Sequence, residues 1–341
     1  MLKIPEPFFH ESEFQNLVCK TPHTVLFSYY RIIVPVLWQE GLDVAYKKSY
    51  AESRTIHEKG YKTMEQKKAL VLQDLSCTGR AGLTQAMCAL SAMGHQCVPL
   101  PTAVYSGHAG ITGFAAEDLT QWLQRALAHY AALDLQFDAI QSGFLNTPEQ
   151  VACVLLACAR KKTDGIFLVD PVMGDNGKLY KICTPALVQE IQRLCEAADF
   201  ITPNVTEAAV LLGYTPDTLP DNLEDAKDWV HRLCRRYATR TVLTGLGGTD
   251  TICTLCGQEG QVTTIETPRI GAYYPGTGDL FAAVLLGGLL KGNSMEHAAQ
   301  AAADFVCACI SETCAQRTDP KWGVLLEPQL WRLTTHDKRF D

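Results

Sequence analysis

The sequence predicts an α/β fold: a doubly wound, mostly parallel sheet with helices on both faces, preceded by an N-terminal extension. From Ala69 onward, short apolar runs rich in β-branched residues alternate with longer amphipathic segments. Such alternation is typical of βαβ units, whose parallel strands are joined by right-handed helical crossovers. The composition agrees, because 47% hydrophobic residues in a chain of 341 can supply the core of such a fold. We therefore expect residues 64–341 to form one domain.

The expected elements follow in chain order. Strands are predicted at 69–73, 96–100, 137–141, 165–170, 198–202 and 239–245. Helices are predicted at 83–93, 119–133, 148–160, 185–197, 207–212, 223–237, 277–291 and 295–312. The segment 251–264, which reads TICTLCGQEGQVTT, instead predicts an antiparallel hairpin at one edge of the sheet.

Residues 1–63 do not follow this pattern. Pro5, Pro7, Pro22 and Pro35 interrupt a stretch that has no clean hydrophobic period, and Met64 precedes the first predicted strand by five residues. Two interpretations stay open for this extension. One is a mis-set translation start or a weakly ordered segment, and the other is a functional appendage such as a dimerisation arm.

The composition also narrows the possible partners and location. A net charge of -7 and the lack of any block of Lys and Arg argue against nucleic-acid binding. No apolar stretch reaches the roughly 20 residues of a membrane span. The 14 cysteines are scattered through apolar runs, which is typical of a reducing compartment, and the one CxxC pair, Cys253 and Cys256, has no second pair to complete a zinc site. We expect a cytoplasmic protein without nucleic-acid or membrane partners.

The densest glycine motif, YPGTGD at 274–279, precedes a predicted helix. Gly276 and Gly278 permit positive φ, so successive N–H groups can turn toward one point, and the helix dipole favours an anion there. A carboxylate at Asp279 has the wrong sign for phosphate binding alone, but it suits removal of a proton from an attacking hydroxyl. On this motif alone, an ordinary N-cap aspartate is an equal alternative. The motif is neither a Walker loop nor a Rossmann fingerprint.

Two polar clusters follow predicted strands farther along the sheet. Asp170 and Asp175 lie in DPVMGDNGKLY, and Asn204 and Glu207 lie in TPNVTE. The carboxyl ends of parallel strands share one sheet edge, where open α/β sheets bind ligands. Hard oxygen ligands of this kind suit Mg²⁺ and the waters around a bound nucleotide. Turn chemistry and helix capping are the alternative interpretation of both clusters.

Small polar residues follow the first two predicted strands. Asp74 and Ser76 belong to the first loop, and Ser106, His108 and Ala109 belong to the second. Small side chains and accessible backbone suit a small polar substrate at the opposite half of the sheet edge. For His108 taken alone, a hydrogen-bonded loop residue is a more common role than catalysis.

Three motifs in this order, DPVMGDNGKLY, ITPNVTEA and GTGDLFAA, resemble the vitamin-kinase branch of the ribokinase-like superfamily. The similarity is greatest to the pyridoxal kinases and extends from about residue 67 to about 316. It implies ATP-dependent phosphorylation of the 5′-hydroxymethyl group of pyridoxal, pyridoxamine or pyridoxine, with Mg²⁺, and leaves a monovalent cation open. It also implies a homodimer. Hydroxymethylpyrimidine kinase, a sister family with a similar GTGD loop, and a non-catalytic nucleotide or vitamin sensor are the alternatives.

The resemblance further implies a role for each matched residue. Asp279 would be the base that activates the hydroxymethyl group, within an anion hole formed by Gly276, Thr277 and Gly278. The ATP-binding positions would be Asp175, Tyr180, Thr202, Asn204, Thr244, Gly245 and Thr277. The metal would be organised by Asp170, Asp175 and Glu207. The substrate would face Asp74, Ser76, Ser106, His108 and Ala109.

The departures from the family pattern fall on the substrate side. The family typically has Ser-Asn-His-Thr-Gly where this chain has SGHAG at 106–110, so Ala109 replaces a threonine whose hydroxyl commonly meets the pyridine substrate. Cys77 and Thr78, in the loop after the first strand, are also unusual. The phosphate-side motifs are intact. The sequence therefore predicts kinase chemistry and leaves the preferred vitamer open.

Overall fold

A computed structural model describes residues 66–334 apart from 109, 259 and 272, so the extension predicted at 1–63 and the substrate residue Ala109 lie outside the described residues. The strands are β1 (Lys68–Ser76), β2 (Gln96–Tyr105), β3 (Ala116–Asp118), β4 (Phe137–Ser142), β5 (Lys161–Val169), β6 (Gly174–Asp175), β7 (Lys178–Leu179), β8 (Phe200–Ile201), β9 (Arg240–Gly247), β10 (Thr251–Gln258) and β11 (Gln261–Pro268). The helices are α1 (Leu83–Ala92), α2 (Thr120–Ala132), α3 (Pro148–Cys158), α4 (Pro185–Glu196), α5 (Val205–Leu211), α6 (Leu223–Tyr237), α7 (Thr277–Leu290) and α8 (Met295–Ala315). Two 3₁₀ turns, Pro320–Trp322 and Glu327–Leu333, follow α8.

Nine strands form one sheet in the order β11-β10-β9-β8-β5-β4-β1-β2-β3. The six central strands, from β9 to β2, pair in parallel. The edge strands β3, β10 and β11 pair antiparallel. The chain leaves β1 toward β2 on one side and returns to β4 on the other, so the strand order reverses at β1 and β4. The predicted doubly wound sheet with an edge hairpin is confirmed.

Helices cover both faces of the sheet, as predicted. Alternate residues of β1 enter different cores, because successive side chains of a strand point to opposite faces. Leu70 and Leu72 pack in the core formed with α2 to α6, whereas Ala69 and Val71 pack in the core formed with α1, α7 and α8. Burial on both faces explains why the central strands are mostly apolar rather than alternating.

Most helices begin at a side-chain cap, but α7 does not. Five of these eight helices start after a residue whose side chain accepts a hydrogen bond from a backbone N–H in the first turn: Thr147, Thr184, Asn204, Asn222 and Ser294. Helix α7 instead begins after Gly276, which has φ 81° and provides no side-chain cap. The first N–H groups of a helix have no partner inside it, so those of α7 stay available to a ligand.

The structure differs from the predicted elements in short or interrupted segments. Strand β2 continues through Pro101 to Tyr105, and the short strands β3, β6 and β7 were not predicted. Strands of two or three residues are too short to show a period. Pro101 is tolerated because β2 lies beside β1 on one side, while β3 covers it on the other side only from Ala103 onward.

The structure can be compared with the predictions about membrane spans and cysteines. Across 66–334, no helix has the length and apolarity needed to cross a membrane. The described cysteines are free thiols, and Cys253 and Cys256 lie in β10, the first partly buried and the second buried.

Candidate active site

Three carboxyl groups meet at the sheet edge where the strand order reverses. Asp279, in the first turn of α7, accepts a hydrogen bond from the backbone N–H of Gly82 at 2.8 Å. Asp74 near the end of β1 and Asp170 just after β5 both act on it electrostatically. The strands that precede Asp74 and Asp170, β1 and β5, flank β4 on either side.

The protein raises the pKa values of these acids. Burial, followed by the charge of Asp74, raises the pKa of Asp279 to about 8, although the N–H of Gly82 opposes this rise. Burial raises the pKa of Asp170 to about 7, and burial together with Asp170 raises the pKa of Glu207 well above its usual range. The charges that raise these pKa values are those of other carboxylates, so the site would stabilise a bound cation.

The raised pKa of Asp279 has a consequence for stability. The folded protein favours the protonated acid, so the Asp279 carboxyl costs nothing below its ordinary pKa of 3.8 and destabilises increasingly as the pH rises toward about 8. We expect Asp279→Asn to melt at least about 2 °C above the parent at pH 8, the shift that roughly 1 kcal/mol produces in a chain of this size. At pH 5 the difference should shrink. Thermal unfolding without ligands at both pH values measures this, and an equal difference at each would contradict it.

The predicted anion-hole residues form one turn. A Cβ on Gly276 would collide with the carbonyl oxygen of Arg80 and lie 3.0 Å from Cα of Ala81, so only glycine fits there. A Cβ on Gly278 would meet no atom within 4 Å, so the turn is open on that side. Thr277 closes the turn by donating from Oγ1 to the Tyr274 carbonyl at 3.2 Å. An anion could approach the first N–H groups of α7 from the open side at Gly278.

Asn204 and Glu207 form a capping box at the start of α5. The Asn204 side chain accepts from the Glu207 N–H at 3.0 Å, and the Glu207 carboxylate accepts from the Asn204 N–H at 2.9 Å. Helix capping, the alternative interpretation of this cluster, therefore describes its local geometry correctly. The same side chains also reach the loop after β5, because Glu207 accepts from the Met173 N–H at 3.1 Å and Asn204 donates to the Gly174 carbonyl at 2.9 Å.

The ends of β5, β8 and β9 form a continuous polar edge. Thr202 donates from Oγ1 to Asp170 Oδ1 at 3.1 Å, and the Thr244 N–H donates to the Pro203 carbonyl at 2.9 Å. Gly245 follows with φ 73° and open space beyond it. Four predicted nucleotide or metal residues thus lie along one edge.

The β6–β7 hairpin carries the other two predicted ATP positions. Asp175 accepts from the Asn176 N–H at 2.7 Å, and Tyr180 follows β7 with its ring edge-on to Phe144, 6.2 Å between centroids. Burial and the neighbouring Tyr273 raise the pKa of Tyr180. Phe144, just after β4, was not predicted, because a single aromatic residue after a strand gives no sequence signal.

The three predicted metal residues are distributed around the sheet edge. Among the described residues, no group of three or more His, Cys, Asp or Glu side chains is gathered closely enough to hold a metal ion by itself. Asp170, Asp175 and Glu207 nevertheless offer hard oxygen atoms in a site whose carboxylates lack a balancing cation. They fit Mg²⁺, which usually keeps several waters and binds through one or two carboxylates plus substrate phosphates.

The substrate-side residues lie at the other half of the edge. Ser76 donates from Oγ to Asp74 Oδ2 at 2.8 Å, and the exposed Ser106 accepts from the Ala115 N–H at 2.8 Å. His108 is buried, and both of its ring nitrogens contact backbone groups. The structure thus describes His108 as a hydrogen-bonded loop residue, while its contact with substrate stays a prediction.

Comparison with known proteins decides the family. Residues 76–320 match the family described as phosphomethylpyrimidine kinase, which is more than half of the chain. The chain belongs to this family. The match contains all three motifs, so the resemblance to ribokinase-like vitamin kinases is confirmed.

Pyridoxal kinases are among the similar proteins. Pyridoxal kinase PdxY of Rubrobacter xylanophilus is 28% identical over 269 residues, which cover 72% of this chain and 87% of that protein. A Bacteroides thetaiotaomicron protein described as a phosphomethylpyrimidine kinase, crystallised with pyridoxal, is 34% identical with a TM-score of 0.74, covering 79% and 96% of the two chains. Pyridoxal kinase of Lactobacillus plantarum is 30% identical with a TM-score of 0.73, covering 79% and 97%.

Two features of this phosphomethylpyrimidine kinase family member were missed by sequence reasoning. The first is the contact of Arg80 and Gly82 with the anion loop, because a backbone donor leaves no mark in the sequence. The second is a pair of fully buried glutamines near the ends of β1 and β4, Gln73 and Gln141, whose amides have no hydrogen-bond partner within the described residues. Glutamine inside an apolar strand is a signal that could have found this pair.

Proposed function

We propose that the chain is an ATP-dependent kinase that phosphorylates the 5′-hydroxymethyl group of pyridoxal, pyridoxamine or pyridoxine, a reaction of vitamin B6 salvage. The observation that carries the proposal is the Asp279 carboxyl, held at 2.8 Å by the Gly82 N–H beside an uncapped helix start. Family membership and the similarity to a protein crystallised with pyridoxal support the substrate class.

Asp279 is the general base in this proposal. With a pKa raised to about 8, its carboxylate is a stronger base than an ordinary aspartate, and about one tenth of it is ionised at pH 7. It takes the proton of the hydroxymethyl group as that oxygen bonds to the γ-phosphorus of ATP. The bond from the γ-phosphorus to the β,γ-bridging oxygen breaks, and ADP leaves. No covalent enzyme intermediate is needed.

The N–H groups at Gly276, Thr277 and Gly278 stabilise the charge on the transferring phosphoryl group. These donors are fixed before substrate binds, because the tight contact of Gly276 with Arg80 allows the turn little movement. Such pre-arranged donors need no reorganisation as charge develops.

The nucleotide lies along the edge formed by β5, β8 and β9 in this proposal. Tyr180, Thr202, Asn204, Thr244, Gly245 and Thr277 contact ATP. Asp170, Asp175 and Glu207 hold Mg²⁺ through its waters. When bound, Mg²⁺ neutralises charge on the phosphate oxygens. Dependence on a monovalent cation stays a prediction.

The substrate faces Asp74, Ser76, Ser106, His108 and Ala109 in this proposal, at the ends of β1 and β2. The description of the matched family favours hydroxymethylpyrimidine kinase as the second candidate. The similarity to pyridoxal kinases over 79% of the chain favours a B6 vitamer. The intact Asp279 argues against a non-catalytic sensor.

A panel of acceptors tests the proposal. The protein is incubated with ATP, Mg²⁺ and, in turn, pyridoxal, pyridoxamine, pyridoxine and hydroxymethylpyrimidine, and ADP release is measured. We expect the fastest release with a B6 vitamer. If ADP release were fastest with hydroxymethylpyrimidine, the assignment of a B6 vitamer as the substrate would be wrong. If no acceptor caused ADP release, a non-catalytic sensor would be favoured.

We also propose that the enzyme is a homodimer in the cytoplasm. The homodimer rests on the resemblance to vitamin kinases, and the cytoplasmic location rests on the free cysteines of the described chain. The native mass of the purified protein tests the first.

A further inference from the structure

We propose that residues Lys321–Glu327, which follow α8, form a clasp that positions the β1–α1 loop for phosphoryl transfer. This inference rests on the proposed kinase function. The clasp begins where the family match ends, at residue 320. The positioning role therefore belongs to a part of the chain outside the matched family region.

The clasp holds both substrate-side loops through backbone carbonyls. The Trp322 carbonyl accepts from the Arg80 N–H at 3.1 Å, and the Lys321 carbonyl lies 2.6 Å from His108 Nε2. Because the Gly110 N–H donates to His108 Nδ1 at 3.1 Å, Nε2 carries the proton and donates to Lys321. His108 thus connects the β2 loop to the clasp, and Arg80 connects the β1–α1 loop to it.

A side-chain pair closes the clasp. Arg80 Nε lies 2.9 Å and 3.1 Å from the two carboxylate oxygens of Glu327. The Glu327 side chain is 56% exposed, and an exposed pair of this kind contributes roughly 1 kcal/mol or less to stability. The pair therefore fixes where Arg80 lies rather than stabilising the fold.

The clasp itself is firmly anchored to the core. The Leu325 N–H donates to Thr313 Oγ1 in α8 at 2.8 Å, and Val324 and Leu326 are buried in the core formed with α1, α7 and α8. Glu327 is consequently presented to Arg80 from a fixed base.

Arg80 is linked in turn to the proposed general base. Its carbonyl oxygen lies between two glycines, Gly276 of the anion loop and Gly323 of the clasp, and a Cβ on either would come too close to it. Two residues farther along, the Gly82 N–H donates to Asp279 at 2.8 Å. A shift of Arg80 would therefore move both the wall of the anion loop and the donor that orients Asp279. Arg80 and Glu327 are positioning residues for the reaction.

Steady-state kinetics of Glu327→Ala, Arg80→Met and the double variant test the clasp. We expect each single change to lower kcat with pyridoxal about fivefold, because an exposed pair of this strength can shift the position of Arg80 by no more than that factor. The KM for ATP should stay unchanged and the melting temperature should move by less than about 2 °C. The double variant should be no slower than either single one, and Glu327→Gln, which still accepts one hydrogen bond, should recover part of the rate.

The control is the pair Arg193–Glu190, a surface ion pair at 2.8 Å on α4 that does not touch the site. Glu190→Ala should leave kcat unchanged. Single variants within twofold of the parent, a double variant about 25-fold slower, or a large fall in melting temperature would each overturn the positioning role.

Hydrogen exchange of the free protein separates this inference from the proposed function. We expect the amides of residues 78–82 to exchange faster in Glu327→Ala than in the parent, while those of Glu190→Ala match the parent. This readout needs no catalysis. If the parent shows no kinase activity, the proposed function fails and the exchange result still decides whether the clasp holds the loop. Unchanged exchange at 78–82 would overturn the clasp.

Discussion

Asp279→Ala is expected to bind ATP as the parent does and to transfer phosphate about 10²- to 10⁴-fold more slowly, the range that a positioned general base contributes. The carboxyl lies in the first turn of α7, is oriented by the Gly82 N–H at 2.8 Å, and has its pKa raised to about 8. Alanine removes the proton acceptor but leaves the N–H groups of the anion turn in place. Two quantities are measured for the variant and the parent: kcat with pyridoxal, and the affinity for the nucleotide by calorimetry.

Asp279→Asn serves as the matched variant for this result. Its amide oxygen can still accept the hydrogen bond from Gly82, so the loop geometry is kept while the base is lost. We expect the same loss of kcat as in Asp279→Ala. If either variant phosphorylated pyridoxal at near the parent rate, the assignment of the base would be wrong.

Gly276→Ala is expected to lower kcat by about 100-fold or more, because the anion turn would have to move by a large part of an ångström. The residue has φ 81°, and an added Cβ would collide with the Arg80 carbonyl oxygen and crowd Cα of Ala81. The backbone at Arg80 cannot retreat easily, since the clasp lies on its other side. Steady-state rates with saturating ATP and pyridoxal measure the effect.

Gly292→Ala provides the control for backbone strain. Gly292 has φ 86°, and a Cβ there would meet no atom within 4 Å. Both alanine variants carry the cost of a positive φ, roughly 1–2 kcal/mol, but only Gly276→Ala adds the collision. We expect Gly292→Ala to lose stability and keep its kcat. An equal loss of kcat in both variants would show that general destabilisation, not the anion turn, is responsible.

The fold could be predicted because its main elements are long and strongly patterned. The central strands after Ala69 are mostly apolar, and the helices between them are amphipathic, so the doubly wound sheet followed from the alternation. Strands β3, β6 and β7 escaped prediction because two or three residues cannot show a period. The β6–β7 hairpin is held by Asn204, which donates to the Gly174 carbonyl, and by Thr206, which accepts from the Gly177 N–H, and both belong to a different part of the chain.

The site could be predicted only where the chemistry and the motif coincide. The glycine spacing at 276–278 and the acid at Asp279 indicated an anion site with a base, and the structure places them in one turn. The features that could not be predicted are contacts between residues far apart in the sequence. Arg80 and Glu327 lie 247 positions apart, and nothing in either neighbourhood indicates that they meet. His108 shows the same limit, because its bond to Lys321 is made with a backbone carbonyl.

The most direct test of the central claim is the identity of the product. The protein is incubated with ATP, Mg²⁺ and pyridoxal, and the product is analysed by mass spectrometry and phosphorus NMR, with Asp279→Asn run in parallel. We expect one phosphate ester at the 5′-hydroxymethyl oxygen, formed in equal amount to ADP by the parent and almost absent with the variant. ADP formed without a phosphorylated pyridoxal, or a product ester formed equally by the variant, would contradict this claim.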